Sequence, residues 1–224
     1  STKEVLNQVN HFLRNGVDVI DLGAQSTRPG ANEVGSSIEI KRLIPYLKII
    51  KSEYPEILIS IDTFNSEVAY EALINGADWI NDVTGGRRDN EILDVVSKFN
   101  CPFVITHSRG NSKNMNELSK YEDVLSEVKS SLEILIKNAL EKNISKNNII
   151  VDPGIGFSKD INQNLEILKN LDVFKNLNFP ILIGASRKRF IGEILNQENP
   201  KERDIGTLAI SCLCSHFNID IVRV

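Results

Sequence analysis

Ile57-Leu58-Ile59-Ser60-Ile61-Asp62, then a helix-periodic stretch over Ser66 to Asn75, then Trp79-Ile80-Asn81: this unit is the repeating element of the 224-residue chain. The first and last pieces are short apolar runs, β-branched in the first, that read as buried strands, and the piece between them has the 3.6-residue period of an amphipathic helix. Asn75-Gly76 stops that helix where glycine can take the left-handed cap conformation before the next strand. Each strand ends on a polar side chain, Asp62 and Asn81. In α/β proteins the carboxyl ends of strands are where a rigid sheet presents side chains to a ligand.

The same unit repeats in both directions. Upstream, Val5, Val9, Phe12 and Leu13 keep helical spacing, Asn15-Gly16 stops the helix, Val17 to Leu22 reads as a strand, and a helix covers Ile38 to Ile50. Downstream, helices are expected over Glu91 to Phe99, Val124 to Lys142, Leu165 to Leu171 and Ile205 to Phe217. They alternate with strands over Pro102 to Thr106, Asn148 to Val151, Pro180 to Ile183 and Ile219 to Val224, seven strands in all. Such alternation with near-continuous apolar strands implies a parallel sheet covered by helices. No G-x-G-x-x-G follows the first strand, and ligand-type residues end several different strands instead of meeting at one crevice. An α/β (β/α)8 TIM barrel is therefore expected, as one domain over residues 1–224. Eight staves are needed. The chain opens on a helix and closes inside a strand, so the first strand is expected ahead of Ser1 and the last to be cut short, making the chain a fragment of a barrel.

Composition bounds the function. A net charge of -4 and a pI near 5.5 argue against general nucleic-acid binding. No apolar run reaches the roughly 18 residues of a membrane span, and no signal-peptide pattern opens the chain. Three cysteines make no disulfide framework, so a reducing, cytoplasmic setting is expected. Cys212 and Cys214 lack further zinc ligands at suitable spacing and read as core packing.

Each strand-end segment has a plain reading beside a functional one. Ser26-Thr27-Arg28-Pro29-Gly30 offers hydroxyl and guanidinium donors to an anion or polar ring, or is an ordinary Pro-Gly loop. Asp62 is a ligand group or a helix cap, and Asn81-Asp82 a ligand pair or a turn stabiliser. Asp152-Pro153-Gly154-Ile155-Gly156-Phe157 carries a carboxylate out of an apolar strand to the barrel mouth with Phe157 as an apolar wall, or simply stabilises its turn. Arg187-Lys188-Arg189 puts three cations on one turn, which calls for an anion or an acidic partner unless the turn is merely solvated. His107 reads as a loop-packing residue, since no metal-ligating partner accompanies it. No serine-hydrolase elbow, zincin or P-loop motif is present. Carboxylate, amide and cation together suit a planar, amide-rich heterocycle plus an anion.

Ser26 to Gly30, Ile61-Asp62-Thr63, Asn81-Asp82, Asp152 to Phe157, Ser186-Arg187-Lys188 with Phe190-Ile191-Gly192, and Val222-Arg223-Val224 together resemble the dihydropteroate synthase family, in order and over the whole chain. The resemblance implies a barrel that joins p-aminobenzoate to 6-hydroxymethyl-7,8-dihydropterin diphosphate with release of pyrophosphate, uses Mg2+ and is the target of sulfonamides. It implies Asp62, Asn81, Asp152, Phe157, Gly184 and Lys188 around the pterin. Thr27, Arg28, Pro29, Ser186, Arg187 and Arg223 are then expected around diphosphate and p-aminobenzoate, with Lys188, Asp62 and Arg223 catalytic. Its metal contact belongs to a first loop expected ahead of Ser1, so no metal ligand is expected in this chain. The partners it implies are small molecules and a second copy of the chain in a homodimer. A methyltetrahydrofolate-type methyltransferase barrel and a non-catalytic pterin-binding module are the alternatives. Departures are Thr106 where Met is common, Gln25 where Glu is frequent, Arg189 where many members have Ser, and the missing His after Arg223-Val224.

Overall fold

The computed structural model describes residues 2–25, 30 and 33–224. Among them the order is α1 (Thr2–Arg14), β1 (Val19–Gly23), α2 (Ser36–Glu53), β2 (Leu58–Asp62), α3 (Ser66–Ile74), β3 (Trp79–Asp82), α4 (Glu91–Phe99) and β4 (Phe103–Thr106). The second half is α5 (Val124–Glu141), β5 (Ile149–Asp152), α6 (Ile161–Lys169), α7 (Asp172–Lys175), β6 (Leu182–Gly184), α8 (Arg189–Leu195), α9 (Asp204–His216) and β7 (Ile221–Arg223). The seven expected strands are present, each within about two residues of its place in the sequence reading.

All ladders are parallel and follow chain order. β1 to β5 form one sheet, β6 and β7 a second, and the bridge between Val151 and Ile181 joins the two. The fold is that of a TIM barrel: consecutive staves, each returned by a helix on the outside. No ladder among the described residues closes β7 onto β1, where a side-chain contact spans the distance instead, from Arg223 to Asp21.

Strand pleating sorts the core into two parts, because alternate side chains face opposite sides. Ile20, Ile59, Ile61, Ile80, Phe103, Ile105, Ile149, Val151, Ile181 and Ile183 point outward and pack with helix residues such as Leu47, Val68, Ile92, Leu132 and Ile167. The inward set is separate and small: Val104, Ile150 and Leu182, with Trp79 and Ile221 packed against them. Five neighbouring strands thus each give one side chain to an apolar plug inside the barrel. That plug is the floor of the site.

One helix start departs by a full turn from the sequence reading, which also lacked the short helices α7 and α8. Helix α6 starts at Ile161, four residues before the expected Leu165, because Asp160 accepts from the Gln163 backbone N–H (2.9 Å) while the Gln163 side chain accepts from the Asp160 N–H (2.9 Å). This reciprocal pair satisfies two of the free donors at a helix start. Asp160→Ala is expected to cost about 1 kcal/mol, lowering the thermal midpoint by roughly 2–4 °C in a calorimetric scan. Cys214 is buried as expected, whereas Cys212 is exposed: two residues along α9 rotate a side chain to another face, so only one of the pair packs in the core.

Among the described residues, no helix is long and apolar enough to cross a membrane.

Candidate active site

Two residues beyond each plug residue lies the next inward position. From Trp79, Val104, Ile150, Leu182 and Ile221 this step reaches Asn81, Thr106, Asp152, Gly184 and Arg223. Strand register extends the layer, with Asp62 beside Asn81, Gly23 beside Asp62, and Asp152 beside Thr106. A polar ring therefore stands one step above the apolar floor at the carboxyl ends of the strands. The four groups Asp62, Asn81, Asp152 and Lys188 do meet at one mouth.

Asp152 is buried, and one of its carboxylate oxygens accepts from the Gly154 N–H (2.7 Å). The turn reading holds, and the second oxygen is not used by that bond. Gly154 has φ +72°, and a β-carbon there would stand 1.9 Å from the His107 carbonyl oxygen, so only glycine lets this loop lie against β4. Lys188, just after β6, lies over the Phe157 ring (4.4 Å) and donates to the Ile155 carbonyl. Burial pushes its ammonium down to about 8, with Asp152 opposing and the Arg223 charge adding to the fall. Burial pushes the Asp152 carboxyl up, and Lys188 counters it.

Asp62 is not a helix cap: Asn65 holds that position in α3, and the Ser66 N–H bonds Asp89 (2.7 Å). Instead Asp62 accepts from Arg223 Nη2 (3.2 Å), while Arg223 Nε donates to Asp21 (2.7 Å). Burial, and next the Asp21 charge, raise the Asp62 carboxyl to about 7, with Arg223 opposing. Asn81 and Asp82 divide their duties. Asn81 turns inward to Asp21 (3.1 Å), whereas Asp82, fully buried on the outer face, holds its own loop through Thr84 and Gly86 (2.7 Å each to backbone N–H).

The basic turn resolves into three separate contacts. Arg187 pairs with Asp204 (2.5 and 2.8 Å), Arg189 pairs with Glu193 (3.0 Å), and Lys188 enters the site. The acidic partners demanded by three adjacent cations are supplied by α9 and α8, so Lys188 is the one whose charge faces the mouth. Ser186 is half-buried at the start of this turn. Thr27, Arg28 and Pro29 lie outside the described residues.

Two features were not read as functional from the sequence. Asp21, inside the first strand, accepts from both Arg223 and Asn81; an acid in an apolar run was the available clue. Lys159 is buried, with Nζ on the Gly154 and Phe157 carbonyls (2.9 and 3.0 Å) and on His107 Nδ1 (3.0 Å). Burial, and next the Lys159 charge, drive His107 down to about 2, so its ring is neutral. His107 is the packing residue that its isolation suggested.

The profile described as Pterin binding enzyme matches residues 1–224. The chain belongs to the pterin binding enzyme family. In this family it is 42% identical over 229 residues to the folic acid synthesis protein fol1 of Pneumocystis carinii, covering 100% of the chain and 31% of that protein. The chain thus spans about a third of that relative. It is 41% identical over 224 residues to a dihydropteroate synthase of Synechocystis, covering 100% of the chain and 77% of the relative. A solved dihydropteroate synthase of Clostridium difficile, determined in the presence of pteroic acid, superposes with a TM-score of 0.93 at 38% identity, covering 100% of this chain and 82% of that one.

The departures have visible consequences in this pterin-binding barrel. Gln25 accepts from the Val34 N–H (2.7 Å), a bond that an amide makes without adding a charge. Thr106 is buried beside Asp152, and its hydroxyl oxygen has no hydrogen-bond partner among the described residues. Arg189 is directed along its own helix to Glu193.

Proposed function

We infer that this chain performs the dihydropteroate synthase reaction, condensing p-aminobenzoate with 6-hydroxymethyl-7,8-dihydropterin diphosphate to give 7,8-dihydropteroate and pyrophosphate. The observation that carries the reading is the single inward layer of Asp62, Asn81, Asp152 and Arg223, with Lys188 over Phe157 at its rim. A carboxylate, an amide and an ammonium around one apolar floor match the donor and acceptor edge of a pterin, and a guanidinium beside them suits a diphosphate.

Asp152 accepts from the pterin 2-amino and ring N–H groups, Asn81 adds complementary amide bonds, and Asp62 takes another ring N–H. Lys188 lies along the ring face toward its carbonyl oxygen, above the Phe157 wall. Gly184 pairs with Arg223 in the strand register, and its lack of a side chain keeps the mouth open there. In the chemical step the methylene C–O bond breaks with its electron pair leaving on the diphosphate, and the arylamine lone pair forms the C–N bond. The departing anion is stabilised by Arg223, a preorganised charge in a partly desolvated site. The arylamine is neutral at pH 7 and loses its proton after bond formation, so no strong base is required. Ser186 and Arg187 border the p-aminobenzoate side, and Thr27, Arg28 and Pro29 are proposed to complete it.

Mg2+ belongs to this proposal as a companion of the diphosphate. Among the described residues no three His, Cys, Asp or Glu side chains cluster to hold a cation, so no step here runs through it. A cytoplasmic homodimer, open to sulfonamide competition at the p-aminobenzoate side, completes the reading.

Mixing the two substrates with the complete protein is expected to release one pyrophosphate per dihydropteroate formed, read by a coupled phosphate assay and chromatography. Methyl transfer from methyltetrahydrofolate without pyrophosphate release, or pterin binding without turnover, would overturn the reading.

A further inference from the structure

We propose that Asp21 is a positioning residue of this site, whose carboxylate locks the amide of Asn81 and the guanidinium of Arg223 in the orientations that the pterin edge and the departing diphosphate require. The inference rests on the synthase reading above and adds a residue that touches neither substrate.

The geometry is a single oxygen with two donors. Asp21 Oδ2 accepts from Arg223 Nε at 2.7 Å and from Asn81 Nδ2 at 3.1 Å. These donors come from β7 and β3, on opposite sides of β1 and β2. An ionised carboxylate only accepts hydrogen bonds, so the amide must turn its NH2 end toward Asp21. The Asn81 carbonyl oxygen and second N–H are then left for a ligand in one fixed order, and the flipped amide, which would reverse the pattern read at the pterin edge, is excluded. Tethering Nε does the same for Arg223. It leaves Nη2 on Asp62 (3.2 Å) and the remaining N–H groups for an anion, instead of allowing the guanidinium to fold wholly onto Asp62.

An acid here is not explained by packing. The Asp21 side chain is only 17% exposed, and its other oxygen is buried with no hydrogen-bond partner among the described residues. A buried, half-satisfied carboxylate costs stability, so its contribution must be sought in what it orients.

The charges facing Asp62 provide a readout that a structural role would not move. They are Asp21 from β1, Arg223 from β7, Asp82 from β3, Glu39 from α2, and Lys188 after β6. Replacing Asp21 by Asn removes a like charge beside Asp62 and frees Arg223 to approach it; both changes favour the ionised form of Asp62. The acid limb of kcat/KM, where protonation of Asp62 ends its capacity to accept a ring N–H, then moves to lower pH.

The experiment compares wild-type, Asp21→Asn and Asp21→Ala in the complete protein, with steady-state kinetics over pH and calorimetric titration with the pterin diphosphate. Asp21→Ala is expected to raise KM for the pterin diphosphate about 10-fold and to lower kcat, with KM for p-aminobenzoate within about 2-fold. Asp21→Asn keeps an acceptor oxygen, and is expected to restore much of that KM while its acid limb falls by about half a pH unit or more. Unchanged kcat/KM for the pterin diphosphate in folded Asp21→Ala, or an unmoved acid limb in Asp21→Asn, overturns the proposal. Pterin binding that weakens in Asp21→Ala while wild-type protein binds pterin but forms no product upholds the lock and sinks the synthase reading. Absence of pterin binding in wild-type protein ends both.

Discussion

Asp152→Asn is expected to weaken binding of the pterin diphosphate by at least about 100-fold, roughly 3 kcal/mol or more, in a protein that still folds. The substitution is nearly isosteric, but it reverses the chemistry of the free oxygen. One oxygen of Asp152 is already bound by the Gly154 N–H (2.7 Å), so an asparagine keeps its carbonyl there and turns its NH2 toward the ligand. The pterin 2-amino and ring N–H groups would then face a donor where they need an acceptor. Lys188 is affected as well. Asp152 is the larger of the two charges, with Asp62, that oppose the fall of the Lys188 ammonium to about 8, and without it the lysine is less protonated at neutral pH. Calorimetric titration with the pterin diphosphate measures the loss, and a thermal midpoint close to wild type separates it from unfolding. An affinity equal to wild type would remove Asp152 from the site and leave it only the turn.

What made Asp152 legible is what hid Asp21. Asp152 ends an apolar strand and opens a Pro-Gly turn, a local pattern whose physical meaning is complete within six residues. Asp62 and Asn81 are legible for the same reason, because each follows an outward apolar residue, Ile61 or Ile80, and so faces inward at the end of its strand. Asp21 also lies in a strand, but its partner Arg223 is 202 residues away and Asn81 is 60 away. No local periodicity encodes a contact that exists only when the sheet curls. Arg187 shows the same limit. Its sequence neighbours display a run of cations but not the partner of its guanidinium, Asp204 on the next long helix. The start of α6 was legible in principle, since Asp160 and Gln163 have capping-box spacing and Ile161 stands four residues before Leu165, a helical interval.

Arg223→Ala is expected to lower kcat by about 100- to 1,000-fold, the range seen when one preorganised donor to a developing anion is removed. It should also move the acid limb of kcat/KM upward. Arg223 is the cation opposing the rise of the Asp62 carboxyl to about 7, so its removal leaves Asp21 and Asp62 as a like-charged pair and favours the protonated form. The two effects are separable because only one titrates. Raising the pH restores ionised Asp62 and recovers the binding component, whereas the loss in kcat persists at every pH. Arg223→Lys keeps one charge but cannot reach both carboxylates through separate N–H groups, so it should fall between alanine and wild type. The opposite displacements expected for Asp21→Asn and Arg223→Ala test whether the three side chains act as one electrostatic unit. Shifts in the same direction, or a kcat for Arg223→Ala within about 10-fold of wild type, would show that Asp62 is set by burial alone and that the leaving group is stabilised elsewhere.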